Sequence, residues 1–240
     1  MITFDYLRVN RILAEKINKE LSSFSLLKSE KEIYNYNKTT EKSFADYVGM
    51  QNAFFLDSGT TALQLVLQLL NIGENDEVIL PVSCYPSIIL SILYRKAIPV
   101  FVDIKEDCTI DENLIEEKIT SKTKAIVPVH LFGHACNMGR IMEIANKHNL
   151  KVIEDACQSH SSTLNGRMLG SFGHVNFFSF TYHKTISAFG GGAIVSNENL
   201  DNVKAFVSVE KDDNFLLTSG RAPGKMSNGD TVILRTKLRY

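Results

Sequence analysis

Lys184 stands in surroundings that favour covalent chemistry at its side-chain amine. It lies four residues after the apolar run VNFFSF and six residues before Gly190-Gly191-Gly192. A lysine among apolar and small residues loses hydration, which favours the neutral amine, and a neutral amine can form a Schiff base with a carbonyl compound. Most lysines are surface residues, so an ordinary exposed side chain is the competing interpretation.

Small polar residues could bind a phosphate near this lysine. Ser58-Gly59-Thr60-Thr61 follows the run AFFL and opens the helical pattern TALQLVLQLL, so its hydroxyls stand beside the N–H groups of a helix N-terminus. Ser179 offers a further hydroxyl, and the glycines after Lys184 allow the backbone to approach a bound group closely. An ordinary helix cap requires the same residues at 58–61 and remains an alternative.

Asp155 ends the run KVIED, whose other residues are mostly apolar. A carboxylate at the end of a buried strand can keep a heterocyclic nitrogen protonated, as a pyridoxal ring requires when it withdraws electrons. Because Ala156 begins a new segment, a helix cap explains Asp155 equally well at this stage.

The histidines favour structural roles over a metal site. His130 and His134 are four residues apart with Cys136 nearby, but Gly133 interrupts any helix that would align them, so structural hydrogen bonds are the favoured interpretation. His183 is adjacent to Lys184 and could shape a site there. His160 follows the Asp155 strand and could line the same site, which the sequence does not decide.

Short apolar runs alternate with helical patterns and predict the elements that position these residues. Seven runs are expected to be strands: AFFL, EVIL, IPVFVDI, KAIVPVHL, KVIED, VNFFSF and GAIVSN. The helical patterns between them are TALQLVLQLL, SIILSILY, ENLIEEKI and MGRIMEIANKH. This alternation predicts an α/β fold of three layers, in which a mostly parallel seven-stranded sheet is covered on both faces. Ligands of such sheets bind at the carboxyl ends of the strands.

Three regions follow from this pattern. Residues 1–42 are predicted to form a helical arm, amphipathic over 5–21, followed by a polar irregular loop over 22–42. Residues 43–209 form the large domain that carries the candidate site. Residues 210–240 are predicted to be a surface loop and then a weak helical pattern, DTVILRTKLRY, which Gly229 interrupts.

Composition excludes several classes of function. Lys and Arg number 26 against 27 Asp and Glu, so no broad positive field favours nucleic acid or an anionic membrane. The four cysteines form no CxxC pair, which argues against a zinc site or a disulfide framework and favours a reducing cytoplasm. No run approaches the roughly 18 apolar residues of a membrane span.

Several of these motifs together resemble the aminotransferases of the DegT/DnrJ/EryC1/StrS family in order and spacing. They are DSGTTAL, IPVFVDI, KAIVPVHLFG, VIEDACQSHSS and FFSFTYHK with a following GGGA. The resemblance implies a fold-type-I large domain, pyridoxal 5'-phosphate as cofactor, and a homodimer with its active sites at the subunit interface. It also implies transfer of an amino group, usually from glutamate, to a keto group of a nucleotide-linked sugar.

The resemblance also implies roles for individual residues. Lys184 matches the Schiff-base lysine, Asp155 the partner of the pyridine nitrogen, and Gln158 the residue near the ring hydroxyl of the cofactor. Tyr85 matches the aromatic side chain that stacks on the ring. The positions that match the phosphate-binding segments are Gly59, Thr60, Thr61 and Ser179.

The sequence departs from the family pattern in three places. In GRAPGKMSNGD, Pro223 stands at the position of a family asparagine that reaches the phosphate of the neighbouring subunit, and proline cannot donate that bond. The family's lysine usually follows a triplet that contains proline, whereas Thr181-Tyr182-His183 stands here. The family continues into a small C-terminal domain, which this sequence does not include. Two alternatives to the aminotransferase therefore stay open. One is a sugar 3-dehydratase of the same family, in which histidine replaces the lysine, and the other is a catalytically silent protein that keeps the fold.

Overall fold

The computed structural model describes residues 6–27, 29–200, 203 and 226–238. The helices are α1 (Tyr6–Ser25), α2 (Glu30–Val48), α3 (Gly59–Leu69), α4 (Pro86–Tyr94), α5 (Met138–Lys147) and α6 (Asn228–Leu238), with 3₁₀ turns at Glu116–Lys118 and Leu131–Gly133. The strands are β1 (Asn52–Leu56), β2 (Glu77–Pro81), β3 (Ile98–Val102), β4 (Thr123–Ile126), β5 (Lys151–Asp155), β6 (Thr163–Leu164), β7 (Arg167–Met168), β8 (Val175–Ser179) and β9 (Gly192–Ser196).

The main sheet has seven strands in the order β1-β9-β8-β5-β4-β2-β3. Strand β9 pairs antiparallel with both β1 and β8, and the other four pairs are parallel. Since β1 and β8 both run opposite to β9, six strands point the same way and β9 alone is reversed. The mostly parallel seven-stranded sheet is therefore confirmed, and each of the seven predicted runs overlaps one of its strands.

Helices cover both faces of this sheet, which confirms the three-layer arrangement. Strand residues alternate between the two faces, because successive side chains of a strand point in opposite directions. Phe54 and Phe177 pack with α3 and α4 on one face, while their neighbours Phe55 and Phe178 pack with α2 and α6 on the other. A third apolar cluster lies where α5 covers β4 and β5.

The loop predicted over residues 22–42 is wrong, because these residues complete α1 and form most of α2. Helix α2 begins with a capping box, in which the Ser29 side chain accepts from the Glu32 N–H and the Glu32 side chain accepts from the Ser29 N–H. It ends at Gly49, whose φ of 82° is left-handed. The helix buries Phe44 and Val48 in its last turns. Its polar composition conceals a helix that is fixed by its caps and one apolar end.

Two further expectations are wrong in detail. The pattern ENLIEEKI forms only the 3₁₀ turn Glu116–Lys118, since the Asp111 side chain accepts from the Asn113 N–H and holds the chain in a turn just before it. Gly229 does not interrupt its helix, because it lies in the first turn of α6, where Ser227 Oγ accepts from the Asp230 N–H.

Residues 210–225 of the predicted loop lie outside the described residues. Among the helices that the structure describes, none combines the length and apolar character needed to cross a membrane.

A buried carboxylate fixes the loop that precedes β8. Glu154 is fully buried and accepts the N–H groups of Gly170, Phe172 and Gly173, the last two at 2.7 and 2.8 Å. His130 Nε2 lies 2.8 Å from the same carboxylate. Because His130 Nδ1 accepts the Cys136 N–H at 3.1 Å, the ring proton is on Nε2 and is donated to Glu154. His130 is thus structural, as predicted.

His160 holds the end of β8 from inside the core. It is 1% exposed, and its Nε2 donates to the Ser179 carbonyl at 2.8 Å, since a carbonyl only accepts. The ring lies between Phe178 and Phe180 at centroid distances of 5.6 and 5.8 Å. The Tyr47 hydroxyl donates to the His160 carbonyl at 2.6 Å, which ties α2 to the same point. His160 therefore connects three elements from within the core.

Two glycines allow the N-terminus of α3 to press against the sheet. A side chain at Gly192 would collide with the carbonyl group of Ser58 and would place its Cβ 2.6 Å from the Gly59 nitrogen. A Cβ at Gly59 would lie 2.9 Å from the Ser179 Cβ. The first turn of α3, the end of β8 and the start of β9 are therefore in backbone contact that larger residues would prevent.

We expect Gly192→Ala to destabilise the protein by about 1–3 kcal/mol, because the added methyl group meets rigid backbone rather than a movable side chain. Urea unfolding measures the change. Gly73→Ala is the matched control, since the nearest atom to its new Cβ is 4.0 Å away. Equal stability of the two variants would contradict the close contact described for Gly192.

The stability of the protein should depend on pH through His160. Burial lowers its pKa to about 4, whereas an unfolded histidine titrates near about 6.5. The unfolded chain therefore binds a proton first as the pH falls, and stability is lost between these two values. We expect the unfolding free energy to drop between about pH 7 and about pH 5 by about 2 kcal/mol more in the native protein than in His160→Gln. The exposed His134→Gln should leave the difference unchanged, and an equal drop in all three proteins would refute the assignment.

Candidate functional site

An open cleft of about 650 Å³ lies at the carboxyl edge of the parallel strands. Its walls are the first turn of α3, the segments that follow β5 and β8, and the start of α4. Because β5 and β8 are parallel neighbours, their last residues, Asp155 and Ser179, reach the same edge. The cleft thus occupies the place that the strand pattern predicts for a ligand.

Seven of the eight predicted site residues line this cleft. They are Gly59, Thr60, Tyr85, Asp155, Gln158, Ser179 and Lys184. They come from four separate stretches of the chain, so the fold brings together residues that are up to 125 positions apart, counted from Gly59 to Lys184. His183 also lines the cleft, whereas His160 is not among its lining residues.

Asp155 and Lys184 line the same cleft, and the charge of Lys184 acts on the Asp155 carboxyl group. Asp155 is 4% exposed, and its Oδ1 accepts the Cys157 N–H at 2.8 Å. Burial raises the pKa of Asp155, and this rise is opposed by the Cys157 N–H and by the positive charge of Lys184. A buried carboxyl group of this kind is stabilised as an anion by any cationic group that binds next to it. Asp155 is therefore suited to hold a protonated nitrogen.

The position of Lys184 is set by its backbone. The Lys184 N–H donates to the Thr181 carbonyl at 2.9 Å, which closes a turn directly after β8. The side chain is half-buried and lies on the cleft wall with its neighbours His183 and Thr185. An amine at this place can reach a group that is held between the walls of the cleft.

The first turn of α3 and the end of β8 form the polar wall of the cleft. Ser58 caps the helix by accepting the Thr61 N–H at 3.1 Å, and Thr60 and Ser179 line the cleft beside it. Since the first N–H groups of a helix have no partner within the helix, this wall is suited to an anion. The helix-cap and phosphate interpretations of residues 58–61 are compatible, because Ser58 provides the cap and Thr60 faces the cleft.

Thr61 is the predicted residue that the structure does not bring to the cleft. Its hydroxyl donates to Asp57 Oδ1 at 2.5 Å, and its N–H donates to Ser58 Oγ. Both donors of Thr61 are therefore engaged in the cap. The sequence motif does not distinguish the two threonines. Their surroundings differ because consecutive residues of a helix point in different directions.

Several lining residues were missed by the sequence analysis. Ser87, Val129, Phe132 and Thr181 all contribute to the cleft. Phe132 precedes Gly133 in the 3₁₀ turn Leu131–Gly133 after β4. Thr181 stands two residues after Ser179, a spacing that returns a side chain to the same side of an extended segment.

The two thiols near Asp155 lie where the thiolate form is disfavoured. Burial, followed by the negative charge of Asp155, raises the pKa of Cys84 to about 11 and raises that of Cys157 as well. Because the thiolate is the nucleophilic form, neither cysteine supplies a nucleophile at neutral pH. No group of three or more potential metal ligands occurs within the described ranges. The amine of Lys184 is thus the side chain in the cleft best suited to covalent chemistry.

Comparison with known proteins identifies relatives with similar sequences. Residues 13–238 match the DegT/DnrJ/EryC1/StrS aminotransferase family. GDP-perosamine synthase of Escherichia coli O157:H7 is 43% identical over 165 residues, which cover 68% of this chain and 45% of that protein. The dTDP-3-amino-3,4,6-trideoxy-alpha-D-glucose transaminase of Micromonospora megalomicea subsp. nigra is 34% identical over 242 residues, covering 98% of this chain and 63% of that one. The chain thus spans about half to two thirds of the length of these relatives.

Solved structures agree with the sequence relatives. The S. venezuelae DesV structure, in complex with a ketimine intermediate, superposes with a TM-score of 0.80 at 32% identity and covers 98% of this chain and 63% of that one. An aminotransferase from Psychrobacter cryohalolentis superposes with a TM-score of 0.78 at 31% identity, covering 95% of this chain and 61% of that one. The fold is that of the fold-type-I aminotransferases. With its family match over most of its length and a cleft lined by the expected residue types, the chain belongs to the DegT/DnrJ/EryC1/StrS aminotransferase family.

Proposed function

We propose that this protein is a pyridoxal 5'-phosphate-dependent aminotransferase that moves an amino group from glutamate to a keto group of a nucleotide-linked sugar. The observation that carries the proposal is the presence of Asp155 and Lys184 in one cleft. Asp155 ends β5, Lys184 lies in the turn that follows the neighbouring strand β8, and a polar wall suited to an anion completes the same cleft.

The residues of the cleft fit pyridoxal phosphate. Asp155 is a buried acid whose pKa is raised by burial, so a protonated ring nitrogen would supply the positive partner that it lacks. Thr60, Ser179 and the first turn of α3, which includes Gly59, would hold the phosphate. Tyr85, at the N-cap of α4, would place its ring against the cofactor ring.

The cofactor, when bound, supplies an aldehyde for covalent attachment and a ring that withdraws electrons from the carbon bearing the amino group. Lys184 provides the amine for that attachment. When it is free, the same Nζ would take a proton from the substrate carbon as general base and would later give a proton back as general acid. Asp155 would keep the ring nitrogen protonated, and burial of its carboxylate would strengthen this interaction.

The substrate class rests on the relatives. Their names include a GDP-perosamine synthase and transaminases of dTDP-linked amino sugars. Each of these names refers to a nucleotide-linked amino sugar, and this supports a nucleotide-linked keto sugar as the acceptor here. Glutamate as donor follows from the resemblance to the family.

We also propose a homodimer in a reducing cytoplasm. Leu90, Leu93 and Tyr94 on α4 are more than half exposed, and Phe101 on β3 is 41% exposed, so this part of the surface presents apolar groups that a second copy could cover. The four cysteines are all unpaired, which supports a reducing compartment.

Removing the amine of Lys184 tests both the proposal and the dehydratase alternative. Native protein with pyridoxal phosphate should absorb in the visible range and should be labelled at Lys184 after borohydride reduction, as detected by mass spectrometry of peptides. Lys184→Ala should abolish the label. His183→Ala is the matched variant, because His183 lines the same cleft in the next position, and it should keep the label. Labelling of Lys184→Ala at another residue would overturn the assignment. A protein that is labelled but shows no spectral change with glutamate would favour the catalytically silent alternative.

Asp155→Asn and Glu154→Gln should separate function from stability at two consecutive carboxylates. Asp155→Asn should slow the spectral change produced by glutamate by about 100-fold or more, the order expected when an electrostatic contact to the reacting system is lost. Its apo form should be as stable as the native protein or more so, because burial raises the pKa of Asp155 and its charged form therefore destabilises the fold at neutral pH. Glu154→Gln should instead lower the melting temperature, because it weakens a fully satisfied buried network. If the two variants showed the same pattern, the distinction between the residues would be wrong.

A further inference from the structure

Phe132 adopts a backbone conformation that is unfavourable for its residue type. Its φ of 54° and ψ of 22° are left-handed, and the ring is 74% exposed, so little apolar burial offsets the strain. Seven described residues other than glycine have positive φ, and four of them are asparagine, which tolerates this conformation. Phe132 is the one aromatic residue among these seven, and it lines the cleft.

The strained backbone makes one contact that points to a function. The Phe132 N–H donates to the side-chain oxygen Oε1 of Gln158 at 3.0 Å. A backbone N–H can only donate, so the atom facing it must be the amide oxygen. The orientation of the Gln158 amide is therefore fixed, and its NH₂ group is the part left to serve as a donor in the cleft that Gln158 lines.

Two backbone hydrogen bonds stabilise the turn that carries Phe132. The Gly133 N–H donates to the His130 carbonyl at 3.3 Å, and the His134 N–H donates to the Leu131 carbonyl at 3.0 Å. His130 is itself fixed by the buried Glu154 carboxylate. The surrounding structure thus over-determines the conformation of Phe132, which is the condition under which backbone strain persists.

We propose that Phe132 is a positioning residue whose left-handed backbone orients the Gln158 amide so that its NH₂ group donates to an oxygen acceptor of the bound ligand. The proposal rests on the proposed function in one respect, since it takes that acceptor to be the oxygen of the hydroxyl group next to the aldehyde on the ring of pyridoxal phosphate. The contribution comes from the backbone of Phe132 rather than from its ring.

Two substitutions at one position separate the backbone from the ring. Phe132→Asn removes the ring but suits the left-handed conformation, whereas Phe132→Gly removes the ring and also frees the backbone to leave it. We expect Phe132→Asn to bind pyridoxal phosphate within about twofold of the native protein. Phe132→Gly should bind it roughly fivefold more weakly, the value of one hydrogen bond. Absorbance titration measures both, and the melting temperature of each apo variant should not fall.

Lys96→Gly is the matched control for freeing a left-handed residue. Lys96 has a φ of 58°, is exposed and is not among the residues that line the cleft. Its substitution should leave the affinity for pyridoxal phosphate unchanged. Equal binding by Phe132→Gly and Phe132→Asn would overturn the proposal, because the backbone would then have no separate role.

Coupling to Gln158 provides a second test. In a Gln158→Leu background, Phe132→Gly should have no further effect on the affinity, because the side chain that it orients is gone. Gln158→Leu should weaken the binding of pyridoxal phosphate but not that of its 3-deoxy analogue, which lacks the hydroxyl group next to the aldehyde. Additive effects of the two substitutions, or an undiminished effect with the analogue, would contradict the proposal.

A measurement without cofactor distinguishes failure of this inference from failure of the proposed function. The Phe132 amide should exchange its hydrogen slowly in the apo protein and faster in Gln158→Leu, as observed by NMR. If this difference is seen but the native protein does not bind pyridoxal phosphate, the contact between Phe132 and Gln158 is supported and the proposed function is contradicted. If Gln158→Leu does not change the exchange, the inference falls whatever the cofactor does.

Discussion

The burial of the Asp155 carboxyl group is the constraint on which the site depends. Its neighbour Glu154 is buried just as deeply, but three backbone N–H groups and His130 surround that carboxylate. Asp155 has the Cys157 N–H and the more distant charge of Lys184, and its pKa is raised. Consecutive residues of a strand face opposite sides of the sheet. One carboxylate therefore stabilises the fold. The other lines the cleft and has no close positive partner.

This arrangement requires rigid surroundings, because an under-compensated buried acid would otherwise be relieved by local movement or by water. Glu154 prevents such movement on the opposite face by fixing the loop before β8. His160 holds the last carbonyl of β8, and Gly192 allows α3 to contact the sheet through backbone atoms. These interactions stabilise the fold, and they keep Ser179, Thr60 and Asp155 at fixed separations. Stability of the frame and preorganisation of the site therefore have the same structural origin.

The sequence predicts the sheet well because its strands are short apolar runs between clear breaks, and a buried parallel sheet demands such runs. It predicts α2 poorly because that helix is polar, and only its capping box and the apolar residues Phe44 and Val48 reveal it. Seven of the eight residues predicted from the motifs line the cleft, whereas Phe132, which lies within the motif KAIVPVHLFG, was not singled out. Its importance lies in a backbone angle and in one hydrogen bond to a residue 26 positions away, and neither has a signature in composition or periodicity.

The departure from the family pattern before Lys184 can be understood from the same geometry. The turn that presents Lys184 is closed by a hydrogen bond between backbone atoms of Lys184 and Thr181, so it does not require proline in the intervening positions. Tyr182 is 79% exposed and His183 is also exposed, which means that neither side chain supports the lysine from below. Substitutions in this segment can therefore change what the cleft presents to a substrate without moving the amine. An acid and an amine held on a rigid edge, next to an exposed segment that tolerates substitution, form an arrangement in which specificity can diverge while the chemistry is retained.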